Sequence, residues 1–153
     1  MRWLCVACIL VVMLQTEIVS GKEGAIGIIK VTKGETYIVR NGEREPSVMG
    51  TDVFQSDVLV TGEDSSLGVT FKDNTRVSLG PNSQIAVNEF VFNPKREEFS
   101  FVTKMIRGTL VYLSGMIGKL SPESVAINTP VATIGTRGTR FLVRIDEQEQ
   151  SRP

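Results

Sequence analysis

The sequence has no histidine, and only one tryptophan and two cysteines, in 153 residues. Without histidine there is no Ser-His-Asp or Cys-His nucleophilic catalysis, and the usual zinc ligand sets lose a member. Cys5 and Cys8 spell C-x-x-C, a spacing that elsewhere suggests redox or metal chemistry. Here both lie inside an apolar run and read as bulk hydrophobes, with lipid attachment a weaker alternative. Charge of one sign is also missing: 17 Lys and Arg face 17 Asp and Glu. No basic footprint for nucleic acid follows. Long apolar runs are absent too, because the run from Trp3 to Leu14 is twelve residues against the roughly 20 that a membrane helix needs. No spaced carboxylate pair stands out, so no enzyme activity, cofactor or metal site is expected.

What is present begins with that short apolar run behind Arg2, which suits the core of a secretory signal. Residues 1–21 read as a signal peptide, with Val19 and Gly21 at the −3 and −1 positions and cleavage near Ser20 or Gly21. An uncleaved anchor is the alternative. The exported chain would start near residue 21 or 22 and carry no cysteine. The roughly 130 residues left bury a sizeable core without disulfides.

From Ala25 onward apolar residues recur at intervals of two in short runs separated by turn residues, which predicts an all-β domain over 22–145. The expected strands are Ile26–Val31, Thr36–Arg40, Val58–Thr61, Leu67–Phe71, Thr75–Leu79, Gln84–Phe92, Glu98–Lys104, Thr109–Leu113, Val125–Asn128, Ala132–Ile134 and Arg140–Ile145. Their spacing suits a single domain of short, mostly antiparallel strands, as a sandwich or jelly roll, with solenoid character also open. Residues 146–153 read as a flexible tail.

Three turns can be placed from chemistry. Asn41-Gly42 is a two-residue hairpin signal. In "LGVTFKDNTRVSL" a two-residue loop would set apolar against polar residues on one face, whereas the three-residue loop Lys72-Asp73-Asn74 opposes Val69 to Val77 and Leu67 to Leu79. Asn74 then takes the left-handed position, which asparagine tolerates. In "NEFVFNPKREEFSFV" a turn near Lys95-Arg96 pairs Phe92 with Phe99 and Phe90 with Phe101. Core packing explains these four phenylalanines, and a ligand-stacking platform is the alternative.

The segments "GTDVFQSDVLVTGEDSSLGVTFKDNTRVSLGPNSQIAV", "RGTLVYLSGMI" and "VAINTPVATIGTRGTRFLV" together resemble the FecR domain, named after the periplasmic ferric-citrate sensor. The resemblance runs from Gly24 to Ile145, and its most specific part is Thr129 to Phe141. Gln55-Ser56-Asp57 stands where the family has a glycine-aspartate pair, and Asn74 where it favours glycine. The resemblance implies a stand-alone extracytoplasmic domain, periplasmic or secreted, whose partner is another envelope protein. It implies no nucleic acid and no membrane span after signal cleavage. A sensor subunit working with a separate membrane partner is the second reading, and a glycan-binding protein or carboxylate hydrolase the third.

The residues singled out are Asp73 and Asn74, the tripeptide Arg107, Gly108 and Thr109, and Gly135, Arg137, Gly138 and Thr139 in the closing motif. Gly135 and Gly138 suit a bulge or corner, where a valine at Gly138 would be strained. Arg137 has two open roles. It could neutralise Asp57, Glu63 or Asp73, or it could bind an anion with flanking backbone N–H groups.

Overall fold

The computed structural model describes residues 24–135 and 138–145. The leader, the tail and Arg137 lie outside the described residues. Among the described residues twelve strands form one curled sheet, a half-barrel. They are β1 (Gly27–Lys33), β2 (Thr36–Arg40), β3 (Glu43–Pro46), β4 (Asp52–Val53), β5 (Val58–Thr61), β6 (Ser66–Phe71) and β7 (Arg76–Leu79). β8 (Gln84–Asn93), β9 (Glu98–Leu113), β10 (Val125–Asn128), β11 (Thr133–Gly135) and β12 (Arg140–Ile145) follow, with a five-residue helix α1 (Met116–Leu120) between β9 and β10. The main path runs β3-β2-β5-β8-β9-β7-β6-β1-β4, with β10 and β12 also on β9 and β11 on β10. These pairings are antiparallel except that of β10 with β9.

The predicted turns are there. Asn41 and Gly42 have φ of 52° and 81°, the signature of a type I′ turn, and join Arg40 to Glu43. The Lys72–Asn74 loop sets Val69 opposite Val77 and Leu67 opposite Leu79, with Asn74 at φ 66°. Replacing Asn74 by glycine should therefore leave the thermal midpoint within a few degrees of wild type, while Asn74→Val should lower it clearly. Equal midpoints for the two variants would overturn this account of the loop. The third hairpin pairs Phe92 with Phe99 and Phe90 with Phe101. Phe90 and Phe101 are buried. Phe71 stacks on Phe90 at 5.6 Å, and Phe101 meets Phe71 edge-on at 5.0 Å. Phe71, Phe90 and Phe101 are core rings, while Phe92 and Phe99 are half-buried at its margin, with Phe99 lining a cavity beside Leu120.

Three departures from the sequence reading have simple causes. The strands expected at 98–104 and 109–113 are one strand, β9, because Gly108 at φ 91° absorbs the bend between its halves. β3 is implied by the Asn41-Gly42 turn but has no apolar alternation to mark its extent, and β4, with two residues, carries no pattern at all. The helix α1 is too short to show a 3.6-residue period.

β9 is the spine. β8 and β7 pair with its successive halves, with Gln84 opposite Arg107 and Leu79 opposite Leu110, so they follow one another along one edge. β10 and β12 take the same two halves on the other edge. One core cluster runs through the domain, with Leu59, Ile85, Phe101, Met105, Leu110, Tyr112 and Ile127 all buried.

Candidate functional site

Asp73 is fully buried at the tip of the β6–β7 hairpin. One carboxylate oxygen accepts from the Thr75 N–H at 3.0 Å. The other accepts from the Thr75 hydroxyl at 2.6 Å and from the Ile117 N–H at 3.1 Å. The Asp73 carbonyl accepts from the Met116 N–H at 2.7 Å. A short polar loop residue thus ties the hairpin to the first turn of α1, supplying acceptors that this turn lacks within itself. Gly115 lets the two come together, since a Cβ there would lie 2.2 Å from the Thr75 nitrogen and 2.5 Å from the Asp73 carbonyl oxygen. Asp73 is engaged in these contacts, while Asn74 beside it is exposed in the left-handed position.

The first R-G-T tripeptide sits at the bend of β9. The Thr109 N–H donates to the Ser83 hydroxyl at 2.9 Å, and the Gly80 N–H donates to the Thr109 carbonyl at 3.0 Å. Arg107, Gly108 and Thr109 line a cavity of about 610 Å³ with Pro81, Asn82, Arg144 and Ile145.

The closing motif is elsewhere. Gly138 and Thr139 line a second cavity, of about 460 Å³, with Ser114, Gly118, Lys119 and Pro122. The Thr139 carbonyl accepts from the Ser114 N–H at 2.8 Å. Gly108 lies opposite Ile145 and Leu113 opposite Arg140, so Gly108 stands at one end of β12 and Gly138 and Thr139 precede the other, roughly 17 Å away at the usual strand rise. The described residues of the two tripeptides line different cavities. Gly135 ends β11 opposite Ala126. An added Cβ at Gly135 or Gly138 meets nothing within 4 Å, so the strain expected of a valine at Gly138 has no steric source among the described residues.

The carboxylates offered as partners for Arg137 include two that the described residues already satisfy. Asp73 is held as above. Asp57, 1% exposed, takes a bidentate pair from Arg40, with Nε and Nη2 at 2.9 and 2.8 Å, and also accepts from the Phe54 N–H at 2.8 Å. The same guanidinium donates to Glu45 and to the Asp52 carbonyl, each at 3.0 Å, and lies 4.6 Å from the centre of the Phe54 ring. The hydrogen bond to Asp57 holds the Arg40 pKa above its ordinary value, against the opposing effect of partial burial. Arg40 was not singled out from sequence. Its one available signal was the end of a strand beside a tight turn, facing an aspartate in a G-D-like motif.

Tyr112 is another buried polar group that the sequence concealed. Burial raises its phenol above the ordinary pKa. The Thr75 and Ser114 hydroxyls offset this in part, yet neither completes a hydrogen bond with the phenol. Tyr112→Phe removes a buried hydroxyl whose desolvation nothing repays. Its melting temperature should match or exceed that of wild type at pH 7. A folded pKa above the unfolded one makes wild type lose stability once pH passes about 10, where only the unfolded phenol ionises, and the variant should lose less there. A clear drop at neutral pH would show that the hydroxyl is bonded.

No group of three His, Cys, Asp or Glu among the described residues is placed to hold a metal ion, and no helix among them is long and apolar enough to cross a membrane. The model of the FecR protein family matches residues 57–152. No curated protein and no solved structure matches the chain.

Proposed function

Because the chain belongs to the FecR protein family, a family of signalling regulators whose members act with other envelope proteins, we propose that it is a non-enzymatic protein-interaction module of the bacterial envelope. The observation that carries this reading is the family match over residues 57–152. The motif residues it spans are consistent with a scaffold role: Asp57, Asp73 and Gly108 are occupied in holding the sheet together. Residues 1–21 act as a cleaved leader in this reading, residues 22–145 form the module, and 146–153 are a tail. The leader's short apolar run and the family's periplasmic habit support a periplasmic or secreted location.

Two measurements test the reading. The exported protein should have an intact mass that begins near residue 21 or 22 and lacks both cysteines; a product retaining Cys5 would count against the leader. Photo-crosslinking residues placed singly over all exposed faces of the domain, in cells, should trap a discrete envelope protein from one contiguous patch. Crosslinks scattered evenly, or to none, would remove the interaction role. A sensor subunit is the narrower form of the same idea, favoured by the family's regulatory character, and it requires that deletion of the gene change transcription of a defined target.

A further inference from the structure

β10 and β12 share one edge of β9 without meeting. β10 faces Phe101 to Lys104 and β12 faces Gly108 to Leu113, so among the described residues no strand stands opposite Met105, Ile106 and Arg107 on that edge. Such a gap leaves backbone groups in need of partners, beside an Ile106 that is 36% exposed. The cavity of about 610 Å³ lies at the end of the gap, with Arg107, Arg144 and Ile145 in its wall and no carboxylate. Both guanidiniums are engaged, and the wall supplies no acidic partner for them.

Register decides what fills this place. Arg140 to Ile145 run one for one opposite Leu113 to Gly108, so the next residue in the same register falls opposite Arg107, and that residue is Asp146. Opposite charges placed directly across two strands attract. Asp146 also follows Arg144 by two positions, which puts both on one face of an extended chain. Asp146, Glu147 and Glu149 all come within four residues of Ile145, and a segment tethered there has an effective concentration on the order of millimolar, with which a separate acidic ligand or partner must compete. We propose that residues 146–148 prolong β12 into the gap on β9, with the Asp146 carboxylate between the guanidiniums of Arg107 and Arg144. The chain then closes its own open edge and fills its own arginine-lined cavity, and any partner of the domain docks elsewhere. This seat stands whether or not the chain is an interaction module.

The test is amide hydrogen exchange on the exported domain, with every variant placed beyond the described sheet. Ending the chain after Ile145 should speed exchange of the gap-facing amides among residues 105–107 by about tenfold or more. Asp146→Lys should do the same at full length, which keeps the result readable if the shortened chain is destabilised throughout. Glu149→Gln, outside the gap, should exchange like wild type. The proposal is overturned if Asp146→Lys, or truncation of a chain that stays folded, leaves residues 105–107 as protected as before. It is overturned too if Glu149→Gln exposes them as much as Asp146→Lys does, which would make the overall charge of the tail the cause. Protection that rises with protein concentration would seat a second copy in the gap and overturn it as well.

Discussion

Gly108→Ala is expected to cost on the order of 3–5 kcal/mol, a large share of the roughly 5–15 kcal/mol that holds a domain of this size together. Two separate penalties meet at this residue. Its φ of 91° lies where side chains are strained, a cost of about 1–3 kcal/mol. An added Cβ would also stand 2.3 Å from the Ser83 hydroxyl oxygen and 2.4 Å from the Ser83 Cα. A hydroxyl can rotate away, but the Cα belongs to the loop that carries β7 into β8, and moving it breaks the Thr109 N–H bond to Ser83 and the pairing on which both halves of β9 depend. The control is Gly135→Ala, where the new methyl enters open space and the thermal midpoint should stay within a few degrees of wild type. Chemical denaturation of the two variants decides the matter, and similar losses in both would mean that the bend of β9 does not depend on its glycine.

Arg40→Met is expected to be nearly as damaging, with a loss of about 3–5 kcal/mol, because it strands the Asp57 carboxylate in a buried position without its counter-charge. Methionine also gives up the guanidinium's place over the Phe54 ring, a contribution of about 0.5–1 kcal/mol, so most of the effect reports the lost counter-charge. Arg40→Lys should fall between the two, since a point charge cannot reproduce the bidentate pair and the further bonds to Glu45 and the Asp52 carbonyl. Combining Arg40→Met with Asp57→Asn should recover part of the loss, because the amide oxygen can still accept from the Phe54 N–H and no net charge remains buried. A double variant no more stable than Arg40→Met alone would show that the ion pair is not the source of the cost.

Much of this molecule was legible locally. Alternation of apolar residues fixes which face of a strand is buried, so the β6–β7 register, the position of Asn74 and the Phe90–Phe101 pairing followed from spacing and turn chemistry. The family was legible in a different way, as a resemblance whose most specific part runs from Thr129 to Phe141. Local pattern failed where the chain departs from alternation. The charges of "EREP" hide β3, five residues are too few to declare α1, and Arg107-Gly108-Thr109 reads as a break although the chain runs through it as one strand.

The roles of Asp73, Gly108 and Asp57 were not legible, because each depends on a neighbour distant in sequence. Asp73 has its meaning from Ile117, Gly108 from Ser83, and Asp57 from Arg40. Two copies of R-G-T look alike in a string of letters. Only the tertiary structure separates them, placing one glycine against a backbone with no room for a methyl and the other two closing-motif glycines beside open space, because close approach is a property of two segments and neither segment encodes it alone.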